Sequence, residues 1–298
     1  MKRLIILAAT LIAGLSACDS LLDKEPLDRV TQFDYFKTRS DLELFSNPFY
    51  DNLLDKTPYD EQNDLLVQMT LSDVLYGGDK RTVPNTGGGW AWGNLRRINT
   101  LLEYVDQCED KKAVTEYTAL AKFFRAAFYF DKVKRFGDVP WYEQVIGSEE
   151  EELLKKPRED RGIIMDHVMN DLKNAIEMLP REKDVARVTR WSALALKSRI
   201  ALYEGTWRKY RNLPDADKYL QLAADAASTF ISESGYSLYK EGTEPYRDLF
   251  CSDDAKQEEV ILARIYNFEG LNLSHNVQFN IRNSAAGFTR RFMNHYLL

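Results

Sequence analysis

"AKFFRAAFYFDKVKRFGDVPWY", residues 121–142, carries the clearest structural punctuation in a chain of 298 residues. Read together with the residues from Val114 onward, it puts Tyr117, Leu120, Phe124, Ala127 and Phe128 on one stripe at steps of three and four, the spacing of a helix face. The stripe stops at Gly137 and Pro140. Glycine takes left-handed backbone without a steric penalty and proline has no N–H to continue the ladder, so this pair ends a helix.

The same pattern recurs on both sides. In "SDLELFSNPFYDNLL" (40–54), Ser40 and Glu43 have capping-box spacing, and Leu42, Phe45 and Phe49 follow at helical steps. From Trp92, the set Leu95, Ile98, Leu102 and Val105 marks another face, and in "IIMDHVMNDLKNAIEMLP" (163–180) the set is Ile164, Val168, Leu172, Ala175 and Leu179, closed by Pro180. "RWSALALKSRIALYEG" (190–205) and "DADKYLQLAADAASTFISES" (215–234) add two more helices. The expected fold class is all-α, a stack of tetratricopeptide-like helix-turn-helix units with long irregular loops. No unit shows the complete repeat signature, so an irregular helical domain is the alternative.

Composition narrows the function. Forty Lys plus Arg against 46 Asp plus Glu give a net charge of -6, and no sequence-wide basic field exists to attract phosphate, so nucleic acid is excluded as the expected partner. The N-terminus is different in character. Lys2 and Arg3 precede an apolar run from Leu4 to Leu15 that falls short of the about 20 residues a membrane helix needs, as a signal peptide does. It ends in Leu15-Ser16-Ala17-Cys18, which resembles the lipobox of bacterial lipoproteins: residues 1–17 are expected to be removed and Cys18 to carry acyl chains, two or more of which hold a protein firmly to lipid. Cys108 and Cys251 form no C-x-x-C and read as two unpaired thiols.

Taken together, these stretches resemble the SusD/RagB family of outer-membrane nutrient-binding lipoproteins of Bacteroidetes. Residues 121–142 are similar to the family's Ala-x-x-Arg-Ala-aromatic-aromatic helix and the Gly-Asp-Val-Pro turn after it. "CDSLLDKEPLD", "DLELFSNPFYDNL", "LRRINTLLEYV", "VMNDLKNAIEMLP", "ALALKSRIALYEG" and "YSLYKEGTEPYRDLF" resemble further family blocks in family order. The resemblance implies one SusD-like helical domain over 18–298, tethered through acylated Cys18 to the outer membrane and facing the cell surface. It implies a lid on a SusC-like TonB-dependent transporter, taking an oligosaccharide ligand. Family members usually run well past this length, so the chain is expected to be the N-terminal portion of a longer fold.

The most unusual local composition is "SDVLYGGDKRTVPNTGGGWAWGN" (72–94). Sugars present flat C–H faces rimmed by hydroxyls, and are held by aromatic platforms with polar side chains at the edge. Trp90 and Trp92 are the candidate platform, with Asp73, Arg81 and Asn94 on the rim; the resemblance places ligand contacts in this same loop. Three of them have a plainer alternative. Trp92 is in register with Leu95 and Ile98 and would be buried, Asp73 would cap loop backbone, and Arg81 would pair with Asp79.

No enzyme, cofactor or metal site is expected. The histidines, His167, His275 and His295, belong to no H-E-x-x-H, there is no G-x-S-x-G, P-loop or G-x-G-x-x-G, and Glu149–Glu152 read as a solvated acidic run. A peptide-binding RagB-like lipoprotein and, behind it, a surface glycosidase are the alternative readings.

Overall fold

The computed structural model describes residues 35–54, 66–67, 85, 87–147, 149–266, 274 and 287–297. Cys18, Asp73, Arg81 and His275 lie outside the described residues. Among the described residues helices dominate: α1 (Arg39–Ser46), α2 (Gly93–Tyr104), α3 (Lys111–Phe136), the short α4 (Glu151–Leu154), α5 (Arg161–Met178), α6 (Arg190–Tyr210), α7 (Ala216–Glu233), α8 (Pro245–Cys251) and α9 (Arg290–Leu297). One small antiparallel ladder pairs β1 (Leu66–Val67) with β2 (Gly287–Phe288).

Helix α3 is the axis of the fold. Asp110 caps it, its side chain accepting from the backbone of Lys112 (2.9 Å) and Ala113 (3.1 Å). Lys134 and Arg135 lie in its last turn, where cations oppose the helix dipole, and Gly137 ends it at φ 71°. The expected stripe understates its burial: Phe123, Ala126, Tyr129, Phe130 and Val133 are buried as well as Tyr117, Leu120 and Phe124, while Ala127 and Phe128 are only half-buried. A helix buried on several sides needs neighbours on several sides, and α3 packs against α1, α2 and α5.

The other helices follow in a row, α5 on α3, α6 on α5 and α7 on α6; residues 137–160, with α4 among them, link the first pair, 179–189 the second and the short connector 211–215 the third. This is the arrangement of stacked helix-turn-helix units. On α5, the apolar positions read from the sequence, Ile164, Val168, Leu172 and Ala175, are all fully buried. Two readings shift. On α2 the buried residue in the third turn is Leu101, with Leu102 half-buried. The capping box of α1 forms between Thr38 and Asp41, not Ser40 and Glu43: Asp41 accepts from the Thr38 backbone at 2.8 Å and the Thr38 hydroxyl accepts from the Asp41 N–H. An aspartate at the third helical position closes the same ring as the expected glutamate, two residues earlier.

Buried ion pairs fix the register between helices. Arg125 of α3 donates two hydrogen bonds to Asp171 of α5, at 2.7 and 2.8 Å, with both side chains under 10% exposed. Glu204 of α6 is fully buried and accepts from Arg161 (2.7 and 2.9 Å) of α5 and Arg208 (2.8 Å) of its own helix. Those guanidinium groups lie over aromatic rings, Arg161 over Trp207 at 4.3 Å and Arg208 over Tyr219 at 4.9 Å, which offsets part of their lost hydration. Helix α7 is tied to α5 by Lys218 and Tyr219, which both donate to Asp166, at 2.8 and 3.0 Å. Where α6 meets α7, Gly205 comes so close that a Cβ would stand 2.8 Å from the Leu220 side chain and 2.9 Å from its backbone nitrogen.

Two stability outcomes follow. Gly205→Ala is expected to lower the unfolding free energy by about 1–3 kcal/mol despite alanine's better helix propensity, because helix backbone cannot move aside as a side-chain tip can. Arg125→Met is expected to cost about 3–5 kcal/mol by stranding Asp171, and Arg125→Met with Asp171→Leu to recover most of that loss. Denaturant unfolding of the three variants measures both, and a double variant as unstable as the single one would contradict the stranded-charge account.

Candidate carbohydrate-binding cleft

The segment Gly87-Gly88-Gly89 runs with φ of 78°, 65° and 84°, three left-handed residues in succession that only glycine adopts without strain. It delivers Trp90 and Trp92 to the start of α2, where Trp92 is the residue before the first helical turn. The loop is held from below by α3. Lys132 Nζ donates to the Gly89 carbonyl at 2.6 Å and lies 5.6 Å from the centroid of the Trp92 ring. Burial pushes the Lys132 ammonium below its ordinary pKa, with the Asp131 charge working the other way. Phe136 and Trp92 meet Trp90 edge to face at 4.8 and 5.1 Å.

The two tryptophans differ in exposure. Trp92 is half-buried, in edge-to-face contact with Tyr142 at 5.6 Å and tilted against Phe128 at 5.6 Å. Trp90 is 39% exposed. They line one side of an open cavity of about 390 Å³, whose other walls are Arg96 and Asn99 of α2, Tyr142 and Gln144 of the connector after α3, Leu154 at the end of α4 and Lys156 just beyond it.

That connector is positioned by hydrogen bonds to its backbone. The Tyr129 hydroxyl donates to the Pro140 carbonyl (3.3 Å) and accepts from the Tyr142 N–H (2.7 Å). Asn99 Nδ2 donates to the carbonyls of Tyr142 and Gln144, both at 3.1 Å. Because both amide protons are used, the orientation of the Asn99 amide is settled, and its Oδ1 is buried without a partner. Lys156 donates to the Trp141 carbonyl (2.9 Å) and pairs with Glu159 at 2.6 Å. Burial opposes the charge on Glu159, but Lys156 and the Trp141 N–H outweigh it and hold that carboxyl below its usual range. Tyr142 is fixed at its far end too, its hydroxyl donating to the Leu153 carbonyl at 3.1 Å. The result is an aromatic wall held in place by its backbone, with the exposed polar side chains of Arg96 and Gln144 beside it, a chemistry suited to a hydroxyl-rich, flat-faced ligand.

The structure brings Trp90 and Trp92 together at this cavity and places Asn94 elsewhere. Trp92, Arg96 and Asn99 stand at steps of four and three on one face of α2, whereas Asn94 and Arg97 share the opposite side and line a second cavity with Phe49, Phe128 and Arg199. Of the residues that sequence reasoning passed over, Asn99 had a signal: an amide between Ile98 and Thr100, in the buried stripe of a helix, must find hydrogen bonds there. Tyr142 and Lys156 had none, since they reach the cavity only through the path of the chain. His167 stacks on Trp141 at 4.5 Å, and the carboxylates at Glu149–Glu152 are exposed. No group of His, Cys, Asp and Glu suited to a metal ion occurs among the described residues.

Comparison with known proteins agrees with this architecture. Residues 91–202 match a family model of SusD-like proteins, described as starch-binding and associating with the outer membrane. A SusD-like protein of Bacteroides ovatus is 22% identical over 281 residues, covering 88% of this chain and 49% of that protein, and a SusD-like protein of Formosa agariphila is 24% identical over 289 residues, covering 86% and 50%. The chain thus spans about half the length of the curated relatives it matches. Among solved structures, a SusD superfamily protein of Bacteroides thetaiotaomicron superposes with a TM-score of 0.66 at 18% identity, covering 87% of this chain and 62% of that one. A second, solved with a xylogluco-oligosaccharide, superposes with a TM-score of 0.63 at 20% identity, covering 86% and 55%. The family resemblance read from residues 121–142 and their neighbours is borne out, and with it the helical, tetratricopeptide-like fold.

The Lys132 contact makes a direct prediction. In Lys132→Met the aromatic packing stays and the bond to Gly89 is lost, so amide exchange at residues 87–92 is expected to quicken by about tenfold while α3 keeps its protection. Hydrogen-exchange mass spectrometry resolves the two segments.

Proposed function

We propose that this SusD-like chain is part of a non-catalytic, glycan-binding lipoprotein of the outer-membrane surface, which holds an oligosaccharide against Trp90 and Trp92 and passes it to a SusC-like TonB-dependent transporter. One observation carries the reading. A tryptophan left 39% exposed stands at the mouth of a preformed cavity, on a loop anchored from beneath, rather than in the core or on a free surface. Trp90 supplies the stacking face, Trp92 and Tyr142 extend it, and Arg96 and Gln144 supply polar contacts at its edge. Asp73 and Arg81 are retained as rim contacts from the loop before the glycines, and Asn94 as a contact at the second cavity.

The relatives support the class of ligand. A xylogluco-oligosaccharide occupies one protein of this fold, and the matching family model is described as starch-binding. Delivery to a transporter and attachment through Cys18 rest on the sequence resemblance.

Electrophoresis of the purified protein through gels containing a panel of polysaccharides tests binding. At least one glycan is expected to retard it without release of new reducing ends, and Trp90→Ala is expected to weaken that retardation by about tenfold, on the order of 1.4 kcal/mol. New reducing ends would mean catalysis, and an unaffected Trp90→Ala protein would remove the platform. Separately, Cys18→Ala is expected to move the protein from the membrane fraction to the soluble fraction with its circular dichroism unchanged. A variant that stayed with the membranes would overturn the anchor.

A further inference from the structure

Three arginines lie around Trp90 and its supports, one against the ring itself, one on the cavity wall and one beside Gly89 and Phe136. Arg158 holds its guanidinium carbon 4.8 Å from the ring centroid. Arg96 lines the cavity that Trp90 opens into. Arg135 approaches from the end of α3, its Nε 2.9 Å from where a Cβ on Gly89 would stand and its guanidinium carbon 5.7 Å from the centroid of Phe136, the ring that meets Trp90 edge to face.

All three are exposed, and none has a carboxylate partner among the described residues. The nearby acids are engaged: Glu159 by Lys156, Glu143 by the Trp141 indole N–H at 2.9 Å, and Asp131 by Lys134 at 2.7 Å. The neighbouring cations differ from the arginines in this respect. Lys132 donates to Gly89, Lys134 pairs with Asp131 and Lys156 with Glu159.

Among the described residues this is a positive patch without carboxylate partners, on a chain whose net charge is -6. Elsewhere some surface arginines are paired, Arg39 with Asp110 and Glu116 and Arg247 with Glu244, and others such as Arg97 and Arg199 are not. What sets the Trp90 group apart is its position beside an aromatic cavity. A guanidinium has a planar fork of donors that matches a carboxylate or a sulfate ester in bidentate fashion, and it does so on top of whatever the aromatic face contributes. Anion donors at the rim and an aromatic wall beside them together describe one ligand.

We propose that the Trp90 cavity selects an acidic glycan, one whose sugar face stacks on Trp90 while a carboxylate or sulfate ester is taken by Arg158, Arg96 and Arg135. This rests on the reading of the cavity as a glycan site and names the class of glycan it takes.

The test uses matched pairs that differ only in charge. Oligogalacturonate is compared with its methyl ester, and an oligosaccharide of sulfated galactan with its desulfated form, by calorimetric titration at low salt and at about 0.5 M salt. The charged member of at least one pair is expected to bind tenfold or more tightly than its neutral partner, with the difference shrinking at high salt as the ionic attraction is screened. The pair that shows it tells carboxylate from sulfate. Arg158→Gln with Arg96→Gln is expected to bring the two members of that pair to within about twofold of each other. Because both side chains lie at the surface, the fold is not at stake, and circular dichroism verifies this.

Equal affinity within both pairs, or preference for the neutral members, overturns the proposal and leaves the glycan-binding reading standing. A charge preference that survives in the double variant places the anion site elsewhere and also overturns it. Failure of every acidic glycan when a neutral glycan from the wider panel binds counts against the charge selection alone. If no glycan binds, the glycan reading and the selection fall together.

Discussion

The bidentate contact between Arg125 and Asp171 is the constraint from which the rest of this structure is laid out. It pins the middle of α3 to the middle of α5 at a single register, since a slip by one residue on either helix would turn a charge into apolar surroundings with no partner. The Arg125 guanidinium also lies 5.1 Å from the centroid of Trp141, and Trp141 packs on Tyr129 at 4.1 Å and His167 at 4.5 Å. The pair therefore orients the segment after α3 as well as α3 itself. That segment contains Tyr142 and Gln144, which close the aromatic cavity. The wall of the cavity is thus set by an ion pair that lies outside the cavity.

A second charge cluster does for α6 what the first does for α3. Glu204 holds Arg161 and Arg208 in one buried group, with Trp207 and Tyr219 against the two cations. Tetratricopeptide-like stacks are quasi-one-dimensional, and each helix sees little beyond its neighbours. Apolar packing alone would let such neighbours slide along one another, because leucine and alanine surfaces are similar at successive turns. Charged pairs at fixed positions remove that freedom at some cost in desolvation.

The helical stack was legible in the sequence because it depends on near-neighbour spacing. Ile164, Val168, Leu172 and Ala175 declare a buried face by periodicity, and Gly137 and Pro140 declare an end by backbone chemistry. The resemblance of residues 121–142 to a known helix also placed Arg125 in a motif, and the structure supplies its partner in the block "VMNDLKNAIEMLP". What resisted reading was the three-dimensional assembly of the cleft. Trp90 and Trp92 drew attention through composition, but Tyr142, Lys156 and Arg158 arrive from segments some 50 to 70 residues away, and no local rule links them to a tryptophan. Asn94 shows the opposite difficulty. Two residues from Trp92 in sequence, it stands on the other side of α2, because a helix turns about 100° per residue. Adjacency in the chain was a poor guide there, and helical phase the better one.

The glycine run before Trp90 has a consequence for how such a chain can diversify. Gly87, Gly88 and Gly89 occupy backbone that other residues resist, so they tolerate little change. Trp90, however, takes its position from the downstream side, from Phe136, Trp92 and the Lys132 bond to Gly89. A side chain at any of the three would strain the backbone that leads into the platform, so substitutions that keep Trp90 in place are confined to positions outside this run.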